Sequence, residues 1–133
     1  MKNKVFDIAI FGAGVVGANI FSDAVNNGYK AVLIESAPDV ATGASKANSG
    51  IVHAGFDAKP GTLKARFNVE GNAIMPVLCA RLHVPLKKCG SFVLGNDLES
   101  LEKLLQQGHA NSVKGLCILD ANELIKKIPN LNP

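Results

Sequence analysis

Three glycines with the spacing G-x-G-x-x-G are the first residues whose pattern points to chemistry. Gly12, Gly14 and Gly17 follow a short apolar run and open a helical pattern, which is the context in which this motif binds the pyrophosphate of an adenine dinucleotide. The first glycine allows a tight turn, the second lets a phosphate approach the backbone, and the third lets the helix pack closely on the strand. The helix would then offer free N–H groups and a partial positive charge to the phosphates.

An acidic residue completes this pattern. Glu35 closes the next apolar run, about 20 residues further along, where a carboxylate can accept hydrogen bonds from both ribose hydroxyls of an adenosine. The combination predicts a dinucleotide site, but it does not distinguish NAD from FAD as the dinucleotide. The alternative is that the glycines only form a turn and that Glu35 is a surface carboxylate.

The elements that must position these residues form a βαβ unit. Val5–Phe11 is almost wholly apolar and predicts a strand buried on both faces, as in a parallel sheet. Val15–Asn27 has helical spacing and ends at an Asn-Gly pair, while Ala31–Ile34 predicts a second strand. One side of the helix is expected to carry Val16, Ile20, Ala24 and Val25.

Beyond residue 60 the sequence predicts helices and short strands. A long helix begins after the N-cap Thr62 and is expected to kink or split at Pro76. Its apolar residues form a stripe at helical spacing, which comprises Leu63, Phe67, Ile74, Leu78 and Leu82. Strands are predicted at Leu86–Leu94 and Leu116–Leu119, and helices at Leu98–Gln107 (capped by Asp97 or Asn96) and Ala121–Ile128 (capped by Asp120).

The composition excludes several classes of function. The 133 residues are 47% hydrophobic, which allows a packed core, and the net charge of +3 is too small to indicate nucleic acid or an anionic membrane surface. Three cysteines without a C-x-x-C pair indicate free thiols in a reducing, cytoplasmic compartment. No run approaches the ~20 apolar residues of a membrane helix, and no metal site is predicted.

The segment from Gly43 to Gly55 reads GASKANSGIVHAG. Together with the glycine motif, it resembles the D-amino-acid oxidase superfamily of flavoproteins, and within it the branch of FAD-dependent glycerol-3-phosphate dehydrogenases and oxidases and L-2-hydroxyglutarate dehydrogenases. The resemblance implies FAD as the cofactor and an α/β fold, with an incomplete Rossmann-like FAD/NAD(P)-binding βαβ domain followed by the start of an α+β substrate domain. The domains it implies are residues 1–82 and 83–133.

Position by position, the resemblance implies which residues contact the cofactor and the substrate. Ser49 and His53 match residues that face the substrate beside the flavin. Lys46 departs from the family, which often carries His or Arg at that place. Beyond the three glycines, the implied FAD contacts are Val16, Glu35, Ala44, Ser45, Ser49, Gly50 and Ile51.

His53 also has a chemical reason for its implied role. Oxidising a secondary alcohol by hydride transfer requires the hydroxyl proton to leave, and a neutral imidazole can accept that proton at physiological pH. A histidine at a strand end is, taken alone, more often a packed residue that is hydrogen-bonded to backbone. The motif around His53 favours the catalytic alternative.

The resemblance further implies that the chain is the N-terminal part of a longer enzyme. A doubly wound domain needs further strands beside the first one, no later segment supplies a βαβ pattern, and Pro129–Pro133 has a turn-like sequence. Three alternatives stay open: a part of an FAD-dependent oxidoreductase, one subunit of a split flavoenzyme, or a non-catalytic nucleotide-binding fragment.

The implied substrate is a small anionic secondary alcohol. Glycerol 3-phosphate is favoured over L-2-hydroxyglutarate by the similarity of Ser49–Asp57 to the first group of enzymes. The expected partner is the remainder of the flavoenzyme or a complementing subunit, and peripheral membrane association of the complete enzyme is left open. The 133 residues alone are expected to be inactive and to self-associate through the open edge of the first strand.

Overall fold

The computed structural model describes residues 4–128 and 130 and divides into two compact units, Met1–Ile51 and Val52–Pro133. The first unit contains β1 (Ile8–Phe11), α1 (Val15–Asn26) and β2 (Ala31–Ile34), and the second contains α2 (Leu63–Arg81), α3 (Leu98–Ala110) and α4 (Ala121–Lys127). The α/β content and the small parallel sheet are as predicted, whereas the substrate domain and the boundary at 82/83 stay predictions. Of the turn-like segment 129–133, all but Asn130 lie outside the described residues.

The sheet of the first unit is a parallel pair of strands in which Ile8 lies beside Ala31 and Phe11 beside Ile34. The first strand begins at Ile8 and not at Val5 as predicted. Asp7 explains this late start, because its carboxylate accepts the backbone N–H of Lys30 (2.8 Å) while its own N–H donates to the Lys30 carbonyl (2.8 Å). A side chain that takes a backbone partner in this way ends the regular ladder.

Only one face of β1 is buried, which contradicts the prediction of a strand buried on both faces. Ile10 faces α1 and is 9% exposed, whereas Phe11 on the opposite face is 78% exposed. A single helix follows β1 in this unit, and one helix can cover only one face of a sheet. Within the described part of the chain no third strand pairs with β1, so its second edge is open.

Of the four apolar residues that the sequence places on one side of α1, only Ala24 is buried. Val16, Ile20 and Val25 are exposed, and the less accessible residues are Gly17, Phe21 and Ala24. These three share one helix face at the spacing i, i+4 and i+7. The helix turns this face to the strands because Gly17, which has no side chain, allows the closest approach.

The close approach at Gly17 fixes the turn between β1 and α1. A Cβ atom at Gly17 would lie 1.9 Å from the carbonyl oxygen of Gly12 and 3.5 Å from Cγ2 of Ile10. Gly12 itself has a φ of +92°, a conformation that side chains disfavour. Both glycines are therefore required by the path of the backbone itself.

In the second unit, α2 is a single helix of 19 residues that contains Pro76, so the predicted split does not occur. The predicted cap is confirmed, since the Thr62 hydroxyl accepts the backbone N–H of Ala65 (3.3 Å). The apolar stripe predicted on this helix is mostly exposed: four of its five members are exposed, and α2 buries Ala65 and Cys79 instead. Helical spacing specifies that the stripe shares one face, but burial needs a partner, and no other helix or strand described in the structure packs on it. The exposed members are Leu63, Phe67, Ile74 and Leu82.

The other two helices start where the sequence predicts. The Asp97 carboxylate accepts the N–H groups of Glu99 and Ser100, and Asp120 forms a capping box with Glu123. Among residues 4–128 and 130, no helix is long and apolar enough to cross a membrane.

The strands predicted at Leu86–Leu94 and Leu116–Leu119 do not form, and both segments are irregular. They instead line one open, mainly apolar cavity of about 410 Å³, together with Phe56 and side chains of α3 such as Leu101 and Leu104. A β-strand requires a hydrogen-bonded neighbour, and neither segment has one among the described residues. Residues of both segments therefore line an apolar cavity, but neither segment forms a strand.

Replacing Gly17 with alanine tests the backbone contact in the first unit. Gly17→Ala should lower the free energy of unfolding by about 3 kcal/mol or more, the upper end for an overpacked site, because the obstructing atom is a backbone oxygen and not the end of a flexible side chain. Urea titration followed by circular dichroism measures this change. Gly43→Ala, where an added Cβ meets nothing within 4 Å, is the matched control and should change stability by less than about 0.5 kcal/mol. Equal stabilities of the two variants would contradict the close contact between Gly17 and the carbonyl of Gly12.

Candidate functional site

The first turn of α1 receives a hydrogen-bond partner from a distant loop. Gly14 is the N-cap residue and has no side chain with which to cap the helix. Ser45 takes this role, because its hydroxyl oxygen accepts the backbone N–H of Val15 (2.8 Å). A Cβ at Gly14 would lie 3.2 Å from the same oxygen, so the second glycine of the motif leaves room for Ser45.

The Ser45 hydroxyl can still donate a hydrogen bond. A serine that accepts an N–H retains its own O–H proton for another acceptor. The N-terminus of a helix attracts anions through its free N–H groups and its dipole. Ser45 and the start of α1 therefore form an arrangement that fits a phosphate oxygen.

Glu35 joins the end of β2 to the glycine motif. One carboxylate oxygen, Oε2, accepts the backbone N–H of Ala13 (2.7 Å), and the other, Oε1, accepts the N–H groups of Ser36 (2.8 Å) and Ala37 (3.0 Å). The backbone N–H groups, that of Ala37 first, lower the pKa of Glu35 below its ordinary value of 4.5. The carboxylate is thus held ionised, and Oε2 keeps a lone pair that fits a ribose hydroxyl.

Ala13 connects three parts of the first unit. Its N–H donates to Glu35, its carbonyl accepts the N–H of Ala41 (3.0 Å), and its side chain is 2% exposed. The loop that follows β2 is thereby fixed against the glycine turn. Neither Ala13 nor Ala41 is predicted as a site residue from the sequence, where the signal for Ala13 is that it is a small residue between two glycines.

A compact turn orders the next part of the loop. Asn48 donates its side-chain N–H to the carbonyl of Ser45 (2.5 Å) and accepts the backbone N–H of Gly50 (2.7 Å) on its Oδ1. This local pattern is typical of asparagine before a glycine with positive φ, and Gly50 has a φ of +68°. Asn48 is a further residue of the site that sequence reasoning passed over, although the Asn-Ser-Gly sequence carries the signal.

The structure therefore brings together five of the predicted site residues within the first unit. These are Gly12, Gly14, Gly17, Glu35 and Ser45. Val16 and Ile51 lie in the same unit with exposed side chains, and Ala44, Ser49 and Gly50 are exposed as well. Their contacts with FAD stay predictions.

His53 belongs to the second unit and has an exposed side chain. Its backbone carbonyl accepts the side-chain N–H of Asn72 on α2 (3.2 Å). The proximity of His53 to Ser49 and to a flavin stays a prediction. In the described residues, no three His, Cys, Asp or Glu side chains are arranged to hold a metal ion.

Comparison with known proteins identifies the family. The family described as "FAD dependent oxidoreductase" matches residues 7–133. A glycerol 3-phosphate dehydrogenase of Caloramator mitchellensis is 44% identical over 131 residues, which are 96% of this chain and 27% of that protein. A mitochondrial L-2-hydroxyglutarate dehydrogenase of Arabidopsis thaliana is 32% identical over 133 residues, or 98% of this chain and 27% of that protein. The corresponding human enzyme is 31% identical over 129 residues, or 93% and 28%.

These matches confirm the cofactor class predicted from the glycine motif and the segment from Gly43 to Gly55, since the matching family is FAD-dependent. They also confirm the resemblance to both groups of dehydrogenases. The chain spans about a quarter of the length of these curated relatives, 27% for the first two.

The lowered pKa of Glu35 predicts a pH dependence of stability. A carboxylate with a depressed folded-state pKa stabilises the fold above its unfolded pKa, and that contribution is lost as the pH falls through the folded value. Glu35→Gln should therefore reduce the free energy of unfolding at neutral pH, and the difference from wild type should shrink as the pH falls below 4.5. Urea titrations at a series of pH values measure this difference.

Glu102→Gln is the matched control, because Glu102 is an exposed carboxylate on α3. Its difference from wild type should be small throughout the same series. A Glu35→Gln difference that stays constant from neutral to acid pH would contradict the carboxylate's role in joining β2 to the glycine turn.

Proposed function

This chain belongs to the FAD dependent oxidoreductase family, and we propose that it supplies the part of an FAD site that binds the adenosine and the pyrophosphate. The observation that carries the proposal is the convergence of Glu35 and Ser45 on the glycine turn, at Ala13 and Val15. A carboxylate for the ribose and a helix N-terminus for the pyrophosphate are the groups that hold an adenine dinucleotide in such a unit, and the Ser45 hydroxyl adds a donor beside that N-terminus.

The residues present fit this cofactor in shape as well as in charge. Gly12 and Gly14 add no side chain beside the turn, and no Cβ contact would occur within 4 Å at Gly12 or Gly43. The backbone can therefore be approached closely by a phosphate. The chemistry that FAD supplies when bound is the acceptance of a hydride from the substrate.

The substrate we propose is a small anionic secondary alcohol, with glycerol 3-phosphate first and L-2-hydroxyglutarate as the alternative. Support for the first comes from the 44% identity with a protein named glycerol 3-phosphate dehydrogenase, against 32% for the plant L-2-hydroxyglutarate dehydrogenase. The product of the first reaction would be dihydroxyacetone phosphate.

His53 is the residue we propose as the general base. Its exposed imidazole can accept the proton of the hydroxyl oxygen while the hydride leaves the carbon that bears this hydroxyl, which avoids a protonated ketone or a free alkoxide. Ser49 is proposed to face the same substrate. Both roles rest on the motif that these residues share with the family.

The partner we propose is the polypeptide that completes the sheet. The open edge of β1 and the exposed Phe11 on its uncovered face are surfaces that a further strand and helix would cover. Association of the 133 residues with themselves and a location in the cytoplasm stay predictions. A non-catalytic nucleotide-binding role is the alternative that the following experiment separates.

The complete protein that carries this segment should be purified and tested for cofactor and substrate. We expect a yellow protein with stoichiometric FAD that reduces an artificial dye with glycerol 3-phosphate. Turnover of L-2-hydroxyglutarate alone would select the alternative substrate. A colourless protein that binds NADH tightly, or a flavoprotein that oxidises only amino acids, would contradict the proposal.

His53→Gln in the same protein tests the base. The rate of flavin reduction, measured anaerobically by stopped flow, should fall by about 10²-fold or more, while the FAD content should change little. His109→Gln, an exposed histidine on α3, is the control and should reduce its flavin at the wild-type rate. Loss of FAD from His53→Gln with normal reduction in the remaining holoenzyme would show that His53 is a cofactor-binding residue.

A further inference from the structure

Side-chain amides from two helices hold the segment His53–Ala58, which is neither helix nor strand. Asn72 on α2 donates to the carbonyl of His53 (3.2 Å), and Gln107 on α3 donates to that of Phe56 (3.1 Å). Asn111, at the end of α3, donates to two carbonyls, those of Gly55 (2.8 Å) and Ala58 (2.6 Å). Four of the six carbonyls in this segment are thus bound by residues at least 19 positions away along the chain.

Packing restricts the same segment from both sides. Gly55 has a φ of +98°, and a Cβ there would lie 3.0 Å from Cγ2 of Val69 on α2. On the other side, a Cβ at Gly108 of α3 would lie 3.0 Å from Cβ of Phe56. Ala58 is 1% exposed. The segment lies against backbone or short side chains of both helices, and therefore has little room to move.

The hydrogen bonds donated by these side-chain amides have a different effect from ordinary surface hydrogen bonds. An irregular segment has no neighbouring strand or helical turn to occupy its carbonyl groups, so these groups must find side-chain donors or water. Each amide NH₂ group offers two donors in a fixed plane, and Asn111 uses them on two carbonyls three residues apart. The bonds therefore fix the path of the main chain and not only its ends.

His53 stands at the first position of this segment with an exposed side chain. Neighbouring side chains do not enclose its imidazole, so the main chain determines where the imidazole can lie. A proton acceptor acts efficiently only when it is held within hydrogen-bonding reach of the proton. The amides would supply that constraint from outside the segment.

We propose that Asn72, Gln107 and Asn111 are positioning residues, which fix the main chain of His53–Ala58 and through it the imidazole of His53. The proposal rests on the function proposed above for His53 as a general base. Asn72 contacts the carbonyl of His53 itself and acts most directly, while Gln107 and Asn111 hold the following turn.

The first measurement is amide hydrogen exchange of residues 52–58 in this chain, followed by mass spectrometry, and it is independent of activity. Asn72→Ala is the primary variant, because alanine favours a helix more than asparagine does and α2 should remain folded. Exchange in the segment should become about 2- to 10-fold faster, because the loss of one hydrogen bond to a carbonyl makes local opening of the segment more frequent by about that factor. Asn111→Ala, which removes two bonds, should have a larger effect.

Two further variants complete this measurement, one of which distinguishes the loss of the hydrogen bond from the loss of side-chain volume. Asn72→Asp has nearly the same shape but no N–H to donate, and should exchange as fast as Asn72→Ala. Gln106→Ala, an exposed neighbour of Gln107 on α3, is the control and should exchange like wild type in residues 52–58. Wild-type exchange in both Asn72→Ala and Asn111→Ala would overturn the proposal.

The second measurement is anaerobic flavin reduction in the complete protein. Asn72→Ala should slow it by about 10- to 10²-fold, the scale of a small misplacement of a reacting group, with FAD content and substrate KM unchanged. Asn72→Gln retains an amide donor and should recover part of the rate, which a merely structural loss would not predict. Faster exchange with a wild-type reduction rate would overturn the positioning role.

The two measurements also distinguish failure of this proposal from failure of the proposed function. A wild-type reduction rate in His53→Gln would overturn the general base, and with it the role of the amides in catalysis, whatever the exchange data show. A slow His53→Gln beside a wild-type Asn72→Ala and Asn111→Ala would overturn the positioning residues alone.

Discussion

The first unit depends on the contact between Gly17 and the carbonyl of Gly12, where a side chain would have to lie 1.9 Å from a backbone oxygen. This contact allows α1 to cross β1 close enough to bury Ile10 and Ala13. Because Ala13 is held there, its N–H reaches Glu35 at the end of β2 and its carbonyl reaches Ala41. The carboxylate and the loop that follows it are therefore positioned by a feature of the backbone that lies 18 residues or more before them in the sequence.

The sequence specifies the features of this chain that depend on near neighbours. The bounds of β2 and the start of α1 follow from local apolar patterns, and the caps Thr62, Asp97 and Asp120 follow from side chains that reach the next turn. Burial could not be predicted in the same way. Phe11 and most of the stripe on α2 have the patterns of buried residues and are exposed. A pattern indicates only which face is apolar, and that face is buried only where a second element covers it.

The contacts of the site likewise differ in whether they could be predicted from the sequence. The glycines and Glu35 were predictable because their spacing within one βαβ unit determines where they meet. The bond between Ser45 and Val15 joins residues 30 positions apart, and the amides that hold His53–Ala58 lie 19 to 56 positions from their acceptors. No short-range rule links an asparagine at the end of α3 to a glycine carbonyl before α2, so these contacts required the fold.

The glycine turn of the first unit and the segment His53–Ala58 of the second satisfy their irregular backbone with opposite chemistry. In the first, backbone N–H groups of Ala13 and Val15 donate to oxygen atoms of Glu35 and Ser45, and oxygens of an anion can add to or replace such acceptors with little change in the backbone. In the second, backbone carbonyls accept from Asn72, Gln107 and Asn111, and a negatively charged ligand cannot replace a donor. An anion can therefore add hydrogen bonds at the glycine turn, whereas the carbonyls of His53–Ala58 offer it no donor. The glycine turn and the segment His53–Ala58 thus differ in whether their main chain presents donors or acceptors to the side chains that hold it.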